Sequence, residues 1–200
     1  MSDSLFLAAS KRDVTDAVTT LLAALALFVQ VLLVLVILLA LLALFWPAAR
    51  AVLRDLCDAL GPGALWLAFG VALVATAGSL FLSEYSDFIP CRLCWFQRIA
   101  MYPLVIVLFG TALRRDVRGS VYYGLPLAVI GGAVAIQHLY VEANPGSESS
   151  SCKIGAPCST KWIDVFGYFT IPMLALTAFG AIIALLLAAW SWRGRVDSTA

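Results

Sequence analysis

Charge is scarce in this chain. Only 12% of its 200 residues are Asp, Glu, Lys or Arg, while 62% are hydrophobic. A soluble domain carries about 25% charged residues. Net charge is +1 and no basic run occurs, which leaves no electrostatic footprint for a nucleic acid. No polar stretch is long enough to bury a core, so a separate soluble domain is excluded. There is one histidine, and it does not follow Cys94, where Trp95 stands; this excludes the Cys-x-x-Cys-His attachment of a c-type haem. What remains is a chain whose solvent is mostly lipid.

Crossing about 30 Å of hydrocarbon takes about 20 apolar residues in a helix. Five stretches meet that requirement, at 21–46, 64–82, 94–113, 121–141 and 165–190. Backbone groups inside lipid must pair within their own helix, so the expected fold is an all-α, polytopic membrane helical bundle. The first apolar run far exceeds the 7–15 residues of a signal-peptide core and is read as a retained spanning helix. Pro103, Pro126 and Pro172 fall within these stretches and are expected to bend them.

Orientation follows from basic residues near the ends of the spans. Arg50, Arg54, Arg114, Arg115, Arg118, Arg193 and Arg195 share one side; Lys11, Arg12, Arg92, Lys153 and Lys161 share the other. The first set is read as cytoplasmic. Four cysteines, Cys91, Cys94, Cys152 and Cys158, then lie outside the cytoplasm, where disulfides persist. Cys57 is left alone on the cytoplasmic side and is read as an incidental thiol.

The third span opens Pro90-Cys91-Arg92-Leu93-Cys94-Trp95-Phe96-Gln97-Arg98. Two cysteines at this spacing form a small reversible disulfide, and a helix start favours the thiolate. Cys94 and Arg98 are four residues apart and share a helical face. Residues 99–113 are too few to span, so Arg98 must lie about 5 Å, one helical turn, beneath the boundary. A charge at that depth is either snorkelling or functional. A quinone partitions to this depth and carries two carbonyl acceptors. Arg98 is therefore a candidate donor to the ring, Cys94 a candidate electron donor, and Trp95 either a pocket wall or part of an interfacial aromatic belt. His138, near the end of the fourth span, is a candidate proton carrier for a quinone or a packed side chain.

Cys152 and Cys158 lie in a Pro-, Gly- and Ser-containing loop, expected to be mobile and exposed to a soluble partner. Exchange requires direct attack of one sulfur on another, so access matters. A structural disulfide tying the loop is an alternative, as is a four-cysteine zinc site, although the surrounding arginines and the helix start oppose a metal.

The stretch from Pro90 to Arg98, continuing Ile99-Ala100-Met101-Tyr102-Pro103, resembles the DsbB/BdbC family of disulfide-forming membrane oxidoreductases, and the BdbC branch in particular. So does Pro157-Cys158-Ser159-Thr160-Lys161-Trp162 leading into Phe166-Gly167-Tyr168-Phe169-Thr170-Ile171-Pro172. The resemblance covers 64–190 and implies a four-helix thiol oxidoreductase domain there. Residues 1–63 then hold a tail, an additional transmembrane helix and a cytoplasmic connector, and 191–200 a cytoplasmic tail. It implies a multi-pass protein of the cell membrane with Cys91, Cys94, Cys152 and Cys158 catalytic and Arg98 beside a quinone, menaquinone or ubiquinone; Trp95 and His138 are candidates at that quinone from their positions in the spans. A thioredoxin-fold thiol oxidase of the DsbA or BdbD kind would be the partner, attacking first at Cys152. A vitamin K epoxide reductase-like enzyme and a non-enzymatic scaffold are the competing expectations. Arg98 placed four residues after Cys94 argues against the first of these.

Overall fold

The computed structural model describes residues 2–148, 152 and 156–199. Among the described residues, five helical segments are long and apolar enough to cross a membrane: Ala9–Phe45, Ala64–Tyr85, Arg92–Arg114, Val117–Ala143 and Ile171–Asp197. The expected all-α membrane bundle is therefore what the chain forms. The elements are α1 (Ser2–Phe45), α2 (Pro47–Leu60), α3 (Ala64–Leu80), α4 (Arg92–Arg114), α5 (Val117–Gly119), α6 (Leu125–Ala143) and α7 (Ile171–Thr199). Single π-helical turns at Phe81–Tyr85 and Ser120–Gly124 extend α3 and join α5 to α6.

Two features depart from the sequence expectation. The segment 47–60, read as a connector, is an amphipathic helix. Leu53, Leu56, Cys57 and Leu60 are half-buried along one face, and Arg54, Asp55 and Asp58 are exposed. Asp58 accepts from Arg195 near the end of α7 at 2.7 Å. Too few apolar residues occur here for a span, so the hydropathy signal that found the other helices was silent. The last span also starts later than expected. Phe166 and Gly167 both take left-handed φ values, 59° and 68°, and Val165 and Phe169 close a small antiparallel bridge. Helix begins only at Ile171, so Pro172 sits in its first turn, where a missing N–H costs nothing, and does not bend its interior.

The core lies among α3, α4, α6 and α7. Ala64, Ala68 and Ala72 of α3 meet Leu104 and Leu108 of α4, Ala128 and Ala135 of α6, and Phe179, Ile182 and Leu186 of α7. Lipid tails are as apolar as these side chains, so close packing of small residues must supply the attraction. Gly131 is the tightest case: a Cβ there would lie 2.2 Å from the Phe179 ring. Helix α1 stands outside this core and turns most of its leucines and valines outward. All four cysteines named above gather at one end of the bundle, where α3 runs out, α4 starts, α6 ends and α7 starts.

Gly131→Ala is expected to destabilise the bundle by about 1–3 kcal/mol through overpacking against Phe179. Gly110→Ala, where nothing lies within 4 Å of the added carbon, is expected to be neutral. Thermal unfolding in detergent, followed by loss of monodisperse protein, distinguishes the two.

Candidate active site

Cys91 caps α4. Its backbone is extended, and its sulfur accepts from the Cys94 N–H at 3.3 Å, satisfying one of the donors left free at a helix start. The two sulfurs are 3.0 Å apart as free thiols. Helical geometry separates their surroundings. Cys91 is buried against the loop before α7, whereas Cys94, half-buried, reaches an apolar cavity within the bundle.

That cavity has a volume of about 450 Å³, within the usual range for a small-molecule site. Its walls come from α1, α3, α4 and α7, and Gly70, Gly78, Ala175 and Ala178 leave the space open. Phe88 and Trp162, from the two loops at the cysteine end, stack at 5.2 Å and border it. Arg98 also lines it and is buried at 9% exposure. Its Nε donates to the Ser79 hydroxyl at 2.9 Å and an Nη to the Ser79 carbonyl at 2.8 Å. A guanidinium carries five N–H donors, so three are not taken by Ser79. Trp95 lies over the guanidinium, 5.3 Å from ring centroid to carbon, but is not among the cavity walls and is half exposed.

The Cys152–Cys158 pair is a disulfide. It is not exposed, as the loop composition suggested: Cys152 is 5% and Cys158 0% accessible, packed against Cys91, Leu93 and Val141. Hydrophobic contact with the two helix ends outweighs the polar character of the flanking chain, part of which (149–151 and 153–155) lies outside the described residues. Glu148 helps close the loop by accepting from the Ser159 N–H at 2.6 Å.

His138 joins the two pairs. Its Nε2 lies 3.0 Å from the Cys158 carbonyl oxygen and 3.5 Å from the Cys91 sulfur, and His138 is not among the walls of the large cavity. A carbonyl oxygen only accepts, so Nε2 carries a hydrogen. Gln97 meets Nδ1 at 3.1 Å; its amide donates to a neutral ring or, turned over, accepts from a charged one. Beside them Glu142 is buried and accepts from the Thr170 hydroxyl at 2.9 Å. The sulfur and nitrogen ligand atoms of Cys91, Cys94 and His138 lie within 4.8 Å of one another. Cys152 and Cys158 are bonded to each other and so do not join these three as free thiol ligands in this state. Ser79, Gln97 and Glu142 were not singled out from sequence. A carboxylate at the end of an apolar helix was a usable signal for Glu142; a serine in an apolar span gave none for Ser79.

The Cys91 thiol is lowered to about 4, first by the hydrogen bond from the Cys94 thiol and then by His138 and the Cys94 N–H, against the opposing effect of burial. The stability this ionised sulfur lends the reduced protein is complete above the unfolded thiol's 9.0 and is lost as pH falls through about 4. Alkylation of Cys91 in the reduced protein, mapped by mass spectrometry, should therefore stay half-maximal near pH 4. Cys94→Ala should move that midpoint upward.

Residues 62–192 match the family model described as "Disulfide bond formation protein DsbB". "Disulfide bond formation protein C" of Bacillus subtilis (strain 168) is 48% identical over 120 residues, covering 60% of this chain and 86% of that protein. "Probable disulfide formation protein C 2" of Bacillus anthracis is 40% identical over 120 residues, covering 60% and 85%. "Probable disulfide formation protein" of Chlamydia pneumoniae is 38% identical over 131 residues, covering 66% and 94%. No solved structure matches the chain. A cysteine pair at a membrane-helix start, packed on a second pair, is thus found in a chain that belongs to the DsbB family of disulfide bond formation proteins.

Proposed function

We propose that this disulfide oxidoreductase regenerates a thioredoxin-fold thiol oxidase of the DsbA or BdbD kind outside the cytoplasm and passes the electrons to a membrane quinone, menaquinone or ubiquinone. The observation that carries the reading is the placement of Cys94 and Arg98 on one apolar cavity, with Cys91 turned toward the second disulfide. The residues fit a quinone: the walls are apolar, the volume suits a ring with part of its tail, and the Arg98 N–H groups not held by Ser79 are a donor set for a carbonyl. A bound quinone supplies a two-electron acceptor at this site.

The chain's own residues do the rest. The partner's thiolate attacks Cys152 and Cys158 leaves as a thiolate. Cys158 attacks Cys91 of an oxidised Cys91–Cys94 pair, releasing Cys94 as a thiolate toward the cavity. The partner's second thiol displaces Cys152, which leaves the partner oxidised. Cys152 then displaces Cys91 from Cys158 and restores the Cys152–Cys158 disulfide. Cys91 and Cys94 re-form their bond as the electron pair and two protons pass to the acceptor. His138, with its Nε2–H between the Cys158 carbonyl and the Cys91 sulfur, holds a proton where sulfur charge moves. Arg98 stabilises negative charge at Cys94 and at a carbonyl it contacts. Because Cys152 and Cys158 are buried, the partner must displace the loop to reach them. The arginine distribution supports placing this end of the bundle outside the cytoplasm.

Cys94→Ser is expected to abolish quinone reduction by purified protein supplied with a reduced thioredoxin-fold partner. Arg98→Met should lower that rate by about 10²-fold, as for loss of one charge-stabilising donor. Absorbance of the quinone and titration of partner thiols read both. Undiminished quinone reduction by the Cys94 variant would remove the mechanism.

A further inference from the structure

The cavity beside Cys94 is not enclosed by the family's four helices alone. One wall is α1, which precedes the matched residues 62–192. Leu22, Leu25, Ala26 and Val29 supply it, at the i, i+3, i+4 and i+7 spacing of one helical face. Elsewhere α1 is largely turned outward; Phe28, on another face, is 63% exposed. Without this helix, the gap between α3 and α7 would be a groove open to lipid.

Polar contacts hold α1 on both sides of that stretch. At the cysteine end, Lys11 pairs with Asp87 and the Thr15 and Ser86 hydroxyls meet at 3.0 Å. Beyond Val29, the Gln30 amide donates to the Thr177 hydroxyl of α7 at 2.8 Å. An amide inside an apolar helix needs such a partner. Between these fasteners α1 approaches α3 closely: a Cβ at Gly78 would lie 3.1 Å from a Leu22 methyl. Gly78 adjoins Ser79, which holds Arg98. The wall is thus fixed in register with the reacting end of the cavity and runs deeper from there by about two turns.

We propose that α1 determines which quinones this protein accepts, with Leu22, Leu25 and Val29 as specificity-determining side chains that gauge the width of the ring and the start of its isoprenoid tail. The inference rests on the quinone reading above. It assigns a function to a membrane-spanning helix that the family match leaves out. Apolar walls discriminate by shape alone, so the effect should fall on the ratio between ligands and not on the thiol chemistry.

The test uses the full-length protein with dithiothreitol as electron donor and two acceptors: a tail-less naphthoquinone and the same ring bearing an isoprenoid tail. Val29→Phe narrows the cavity and should raise KM for the tailed quinone by about tenfold more than KM for the tail-less ring. Leu25→Ala widens it and should shift the ratio of kcat/KM between the two acceptors in the opposite direction. Phe28→Ala should change neither. If Val29→Phe does not accumulate, Leu25→Ala decides alone. Wild-type ratios in the variants that fold would overturn the role of α1. A wild-type protein that reduces neither quinone would overturn the proposed function itself.

Discussion

A guanidinium inside a membrane helix has to be satisfied, and the way Arg98 is satisfied organises the site. Ser79 of α3 takes two of its N–H groups and Trp95 covers its face. This fastens α4 to α3 at the level of Cys94 and leaves the remaining donors beside the apolar cavity. Had Arg98 snorkelled to water, positive charge would not stand next to the inner sulfur, and the cavity would be an unremarkable apolar gap. Burial of a charge is costly in lipid and is tolerated where protein partners and a function for the charge coincide.

The second organising fact is that helix geometry gives two neighbouring sulfurs different surroundings. Cys91, at the cap, belongs to a buried cluster with the Cys152–Cys158 disulfide, and hydrogen bonds from Cys94 and His138 lower its thiol's pKa. Cys94, within the first turn, reaches the cavity. His138 and Gln97 tie the cap to the loop that carries Cys158. On the proposed mechanism, thiol exchange with the second pair and transfer into the membrane would take place on two sides of one tetrapeptide, about one helical turn apart. In the proposed cycle, burial of the second disulfide requires a conformational step before a partner can attack it.

Around this centre the family's four helices provide a core of small residues, whereas α1 contributes little to that core and much to the cavity. It is attached by a few polar contacts and by Ala23 and Ala26 packed with Phe169, while most of its apolar surface is turned outward, which suits the proposed role of a helix added at the cavity wall.

The number of spans, their approximate limits and the Cys91–Cys94–Arg98 spacing were all legible in the order of residues. Hydropathy over about 20 residues and a four-residue helical repeat are local properties. The same locality explains what was missed. Helix α2 has too little apolar length to register as a span, and the late start of α7 follows from left-handed backbone at Phe166 and Gly167. Burial of Cys152 and Cys158, the pairing of Arg98 with Ser79 and of His138 with Gln97, and the fourth wall supplied by Leu22, Leu25 and Val29 join residues far apart in the chain. Local periodicity places a side chain on a face of its own helix; only the packing of helices determines what that face meets.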